Sequence, residues 1–231
     1  HDISDDNISI DKKNKKIRII NISKKQNLIL KGKIDNWNFI FKGSKEEVKS
    51  DSALFGSCIT FIDSFLIDVN FDIKNTKCLD AIKFIRTKGS INKIMINNSD
   101  GDGLAADYSY MKIRNIYIKD NNEDCINFKK GKYTINKITL ENCKDRGISS
   151  GLASEVKINN FSSLNTSVSV YAKDSSIISI NEANIKKTGQ CLAAYRVLDI
   201  YGGGSIKLNK ERLNCPKNNF HVSKNSKWVS Q

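Results

Sequence analysis

The chain has 231 residues, 39% of them hydrophobic, and a formal net charge of +13. That is enough apolar material to bury a substantial core, and no apolar run approaches the roughly 18 residues of a membrane-spanning helix. The basic balance favours polyanions as partners; lysines spread along the chain, with no groove-reading motif, disfavour nucleic acid relative to acidic polysaccharide, although a solvated lysine surface that blunts strand edges is a sufficient bland account.

Residues 1 to 43 alternate apolar and polar positions (Ile8 and Ile10, Ile17 and Ile19, Leu28 and Leu30, Phe39 and Phe41) and read as irregular strands. Residues 44 to 52 read as a polar loop or short helix. From Ala53 the chain repeats, with Cys58 to Phe61 and Phe65 to Val69 as the first clear strand pair. Ile82, Leu104, Ile126, Ile148, Val170 and Leu192 recur every 22 residues. A second column runs Ile91, Ile113, Ile135, Ile158 and Ile180, and a third Ile94, Ile116, Ile138, Phe161 and Ala183. Units of this size, apolar on one face and with strand-length rather than helical patterning, stack into solenoids. The expected fold is therefore all-β, a parallel β-helix (solenoid) with coils of about 22 residues, forming one domain over 1–231. Within it, 1–52 is the N-terminal cap, 53–196 holds the regular coils, and 197–231, with Pro216, His221 and Trp228, is a C-terminal loop and cover. A single proline agrees with long strand ladders, since proline removes a ladder donor.

The six cysteines, Cys58, Cys78, Cys125, Cys143, Cys191 and Cys215, lack the paired spacing of a zinc site. Cys125 and Cys191 share a coil position three coils apart, too far for a disulfide at about 4.8 Å per coil. Buried free thiols are the expectation, with a Cys191–Cys215 closure the one conceivable bridge.

Two residues before each member of the first column stands a ladder: Asp80, Asp102, Asp124, Arg146, Val168, Gln190. Neighbouring coils lie about 4.7–4.9 Å apart, so Asp102 and Asp124 fall near the spacing of the carboxylate pairs that hydrolyse glycosides, and Glu123 adds an acid. Carboxylates this close share a proton or bind a cation unless Arg146 compensates; Asp80, Asp102 and Asp124 are thus also a candidate calcium site, the one cofactor suggested. The competing account is structural, since Asp and Asn side chains accept from nearby backbone N–H groups at turns. Lys129, Arg146, Tyr171, Lys173, Tyr195 and Arg196 fall on the same face if alternation holds and form a candidate clamp for an acidic sugar, or an ordinary surface. The histidines, His1 and His221, lie outside the coils, which leaves no Ser-His or Cys-His pair.

The runs Asn98-Ser-Asp-Gly-Asp-Gly-Leu104, Asn122-Glu-Asp-Cys-Ile126 and Cys143-Lys-Asp-Arg-Gly-Ile-Ser-Ser-Gly151 resemble the pectin-lyase-like right-handed β-helix proteins, in particular the polygalacturonase pattern N-T-D, D-D-C, G-H-G. They are also similar to bacterial repeat proteins of that fold with N-D-C-I-D runs. The resemblance covers about residues 53 to 196 and implies that the parallel β-helix is right-handed and that Asp102 (or Asp100), Glu123 and Asp124 are the acid and water-activating groups. Arg146 stands where the family has its histidine. The implied function is binding, with cleavage by hydrolysis or elimination, of a polyuronate-like acidic polysaccharide by a secreted or cell-surface protein; the alternative is a non-catalytic carbohydrate-binding or structural adhesin.

Overall fold

Strands rich in isoleucine, valine and phenylalanine, broken only by residues that tolerate a left-handed turn, favour long pleated runs over helices. In the computed structural model, which describes residues 7–20, 28–43, 56–208, 213–215 and 219–230, the chain is all β. The strands are β1 (Ile8–Asp11), β2 (Lys16–Ile20), β3 (Leu28–Asp35), β4 (Asn38–Lys42), β5 (Ser57–Thr76), β6 (Asp80–Ile85), β7 (Lys88–Ser99), β8 (Asp102–Asn121), β9 (Ile126–Gly151), β10 (Glu155–Lys173), β11 (Ile177–Tyr195), β12 (Ser205–Leu208), β13 (Leu213–Asn214), β14 (Phe220–Val222) and β15 (Lys227–Ser230). They pair in parallel, coil upon coil, into a β-solenoid of about 9 turns with coils about 22 residues apart. The exception is the antiparallel β1–β2 hairpin at one end.

The expected columns are the observed register. Ile82 pairs with Leu104 and Leu104 with Ile126, while Ile113 pairs with Ile135, Ile135 with Ile158 and Ile158 with Ile180. The parallel stack also runs past the expected coil limits: β2 pairs with β4 and β4 with β5, and beyond Tyr195 β12 pairs with β11 and β15 with β12. The polar segment 44–52 lies outside the described residues.

Two lines of left-handed residues bend each coil. One runs Asp63, Arg86, Tyr108 and Lys130, the other Asn75, Asn98, Asp120, Asn142 and Asn165. Asn and Asp accept this conformation at low cost because their short side chains bond locally. In the second line the amides form a ladder, Asn98 donating to Asn75 at 2.9 Å, Asn142 to Asp120 at 2.6 Å and Asn165 to Asn142 at 2.8 Å.

Inside the first bend a hydroxyl from each coil donates to a carbonyl of the coil before it. Ser64 reaches Leu30, Thr87 reaches Phe61, Ser109 reaches Phe84 and Ser154 reaches Phe128. Residue 131 of this series is glycine, with φ at +144° and no room for a Cβ, which would lie 2.2 Å from the Ser109 carbonyl oxygen. Tyr133 replaces the missing hydroxyl: its ring stacks on Phe128 at 4.0 Å and its OH donates to the Ala106 carbonyl at 3.0 Å. Burial raises the pKa of that phenol and keeps it a donor.

The cysteines correct the expectation of free thiols. All six are bridged, as Cys58–Cys78, Cys125–Cys143 and Cys191–Cys215. The sequence argument compared cysteines at one coil position in different coils, whereas each bridge joins the two ends of a turn, with Cα–Cα distances of 5.5, 5.6 and 6.4 Å. Only the Cys191–Cys215 closure agrees with the expectation.

Two substitutions test the interior. Tyr133→Phe strands the Ala106 carbonyl and lowers stability in urea by about 1–3 kcal/mol. Ile126→Asp buries a charge in the fully buried first column, costs several kcal/mol, and abolishes cooperative melting; a wild-type melting temperature for Ile126→Asp contradicts the register.

Candidate functional site

Strand register turns the Asp ladder into one outward face. Asp80 pairs with Asp102 across the β6–β8 ladder, Arg146 with Val168 across β9–β10, and Val168 with Gln190 across β10–β11. The Asp102 carboxylate accepts from the Asp124 backbone N–H at 3.1 Å and from the Asn127 side-chain amide at 2.8 Å. One coil on, the Asp124 carboxylate accepts from the Arg146 backbone N–H at 3.1 Å, and its second oxygen meets the Arg146 guanidinium at 3.4 Å. Each acid thus ties its own coil to the next. The Asp80 carboxylate accepts from the Ser57 hydroxyl at 2.7 Å and lies 3.5 Å from the Lys83 ammonium, which is 3.4 Å from Asp107.

Burial governs the protonation of these acids. Asp124 is 4% exposed, and desolvation pushes its carboxyl up to about 7; Arg146 opposes this, while Asp102 and Asp145 reinforce it. A single guanidinium contact at 3.4 Å, shared with Asp145, does not offset desolvation beside two other acids. Burial also raises Asp102, opposed by the Asn127 hydrogen bond and reinforced by Asp80. On Lys83 burial acts downward, but Asp80 and Asp107 outweigh it and raise the ammonium pKa.

Beyond Arg146 the face becomes basic and aromatic. The guanidinium lies over the Tyr171 ring, 4.4 Å from its centroid, and the Lys173 ammonium is 5.6 Å from the same ring. Desolvation, reinforced by Arg146, holds the Lys173 ammonium below its usual range, and burial raises the Tyr171 phenol. Tyr171 contacts Tyr195 at 5.4 Å, and Tyr195 stacks on His221 at 5.0 Å, so three rings follow one another along the solenoid. In the row between Asn127 and Tyr171, the buried Ser149 hydroxyl has no hydrogen-bond partner.

Of the residues expected at the site, the structure brings together Asp102, Asp124, Arg146, Tyr171, Lys173 and Tyr195, and Lys129 is close enough to lower the Asp102 pKa. Glu123 is exposed on the preceding turn. Arg196 lies past the end of β11, where its guanidinium meets the Asp199 carbonyl and carboxylate, so it does not join the clamp. The calcium reading of Asp80, Asp102 and Asp124 does not fit. Among the described residues no group of three or more His, Cys, Asp or Glu side chains could hold a metal ion, because each of these carboxylates faces a different protein partner.

Sequence reasoning missed Lys83, Asn127, Ser149 and His221. The first three follow from continuing the outward alternation of the strand. His221 does not: it pairs with Ala193 across 28 residues, a longer step than the coil period. Comparison with protein families, curated proteins and solved structures finds no match to this chain.

The raised carboxyl of Asp124 makes stability depend on pH. Its folded pKa lies above the value of about 3.9 for an unfolded aspartate, so the native state holds the proton more tightly. Its stabilising contribution is full below about pH 4, falls as pH rises to about 7, and then levels off. Measured by urea unfolding, the stability of the wild type relative to Asp124→Asn should decline through that window by on the order of a few kcal/mol. A difference that grows with pH would show that the Arg146 ion pair outweighs burial.

Proposed function

We propose that the ladder face binds an anionic, polyuronate-like polysaccharide and cleaves it, with Asp124 as the proton-transfer group. The observation that carries this reading is a buried carboxyl with a pKa near 7, set on an outward face beside a second carboxyl, a guanidinium, an ammonium and a run of aromatic rings. A carboxyl that is protonated near neutral pH can act as a general acid. In hydrolysis, Asp124 donates its proton to the glycosidic oxygen as the bond to the anomeric carbon breaks, and Asp102, one coil of about 4.8 Å away, adds to that carbon as nucleophile; water then displaces Asp102 from the carbon while Asp124 takes back a proton. Arg146 and Lys173 offset the uronate charge, and Tyr171 and Tyr195 supply apolar surface to the sugar rings.

The resemblance of the Asp102, Asp124 and Arg146 runs to the pectin-lyase-like right-handed β-helix proteins supports the substrate class. Three disulfides support a secreted or cell-surface setting, since such bonds persist in oxidising compartments.

A second reading is a non-catalytic carbohydrate-binding face. It is favoured by the bonds from Asp102 and Asp124 to the backbone of the next coil, which give both acids a structural task.

Incubation with polygalacturonate, alginate and glycosaminoglycans separates these readings. New reducing ends mark hydrolysis, and unsaturated products absorbing in the ultraviolet mark elimination. The expected result is cleavage that Asp124→Asn slows about a hundredfold or more while its melting temperature does not fall below that of the wild type at neutral pH, and that Tyr171→Ala weakens chiefly through KM. Full activity in Asp124→Asn overturns the catalytic role, and binding without either product signal leaves the binding module.

A further inference from the structure

A second groove runs along the solenoid on another part of the coil, at the bend beside the Ile91, Ile113, Ile135, Ile158 and Ile180 column, with a volume of about 1230 Å³. The buried isoleucines form its floor, and the residues on either side of each make its walls. One wall is an amide ladder: Asn70 donates to Asn38 and Asn92 to Asn70, both at 3.1 Å, and further along Asn159 donates to Asn136 at 3.4 Å and Asn181 to Asn159 at 3.1 Å. Arg114 takes the rung between Asn92 and Asn136. The opposite wall carries Lys112 and Lys157, and at one end Asp68, whose carboxylate accepts from the Ser90 hydroxyl at 2.8 Å, so the cationic part of the groove begins at Lys112.

We propose that this groove is a separate binding site for a linear acidic glycan whose negative charges are sparse, recurring about every two coils. A side-chain amide has two N–H donors and two acceptor lone pairs. Asn70 and Asn159 each use one of each within the ladder and keep one donor and one acceptor, while the Arg114 rung offers donors alone, so groups able to donate and accept recur along the wall in steps of about 4.8 Å with one break. Hydroxyl groups, which both donate and accept, match that repeat; phosphate oxygens only accept.

Charge sets the rest of the specificity. Among the described residues, Lys112, Arg114 and Lys157 have no acidic partner within ion-pair distance. Lys112 and Lys157 stand two coils apart, about 9.6 Å, whereas duplex DNA carries a charge every 1.7 Å or so. Among the described residues no aromatic side chain lines the groove, so unpaired bases find nothing there to stack on. From Asn70 to Asn181 the wall spans six coils, about 24 Å, which suits an extended oligomer rather than a monosaccharide.

The test is titration with a hyaluronan decasaccharide, which carries one carboxylate per disaccharide, at low ionic strength. A Tyr171→Ala/Lys173→Ala background removes the ladder face, so failure of that site and failure of this one are read separately. Binding is expected to persist in that background, to weaken at least tenfold in Lys112→Glu/Arg114→Glu/Lys157→Glu, and to weaken severalfold in Asn136→Ala/Asn159→Ala, which keeps every charge. Circular dichroism melts confirm that the variants fold. The proposal is overturned by no hyaluronan binding in the background, by wild-type affinity in the charge-reversed variant, or by a thymidine oligonucleotide that binds as tightly as the glycan and is indifferent to the Asn substitutions.

Discussion

The parallel backbone ladder between coils is the constraint from which the rest of this structure follows. It holds successive coils about 4.8 Å apart, so residues one period apart in sequence become touching neighbours whatever their chemistry. For isoleucine and phenylalanine this is favourable: Phe39, Phe61, Phe71 and Phe84 pack with ring centroids 5.3 to 5.8 Å apart through the core. For asparagine it yields amide ladders. For Asp102 and Asp124 it places a half-buried and a buried carboxyl side by side, a placement that favours the neutral form of one of them.

The same ladder accounts for the double character of those acids. Each carboxylate accepts a backbone N–H from the following coil, which is a structural task, yet desolvation raises both from the ordinary aspartate value, Asp124 to about 7. Structure and proton chemistry are not exclusive here, because a turn that buries an acid to satisfy a backbone donor also tunes it. Arg146 limits the effect without cancelling it, and its own position over Tyr171 links the acidic part of the face to the aromatic part.

A solenoid also offers more than one long surface. The ladder face brings its two neighbouring acids and Arg146 together on three adjacent coils before continuing as aromatic rings to His221, while the groove beside the isoleucine column spreads amides and cations over six. The first is suited to chemistry at a point and the second to holding a chain along its length. The net charge of +13 surrounds both with a field that attracts anions.

The sequence by itself determined the coil period, the apolar columns and most of the acidic and basic face, because in a solenoid a sequence repeat maps directly onto a spatial translation. Asp102, Asp124, Arg146, Tyr171, Lys173 and Tyr195 were legible for that reason. Only the tertiary structure decided what depends on closing a coil or leaving the period. The disulfides join opposite ends of a turn, His221 reaches Tyr195 after a 28-residue step from Ala193, and Arg196 departs where the strand ends. The exchange of a serine-like hydroxyl at Gly131 for that of Tyr133 depends on a ring stacked across the interior, and the groove depends on how the residues flanking the isoleucine column are set apart at the bend. Periodicity specifies which residues share a column, but not the angles at the corners, and those angles set which columns face each other.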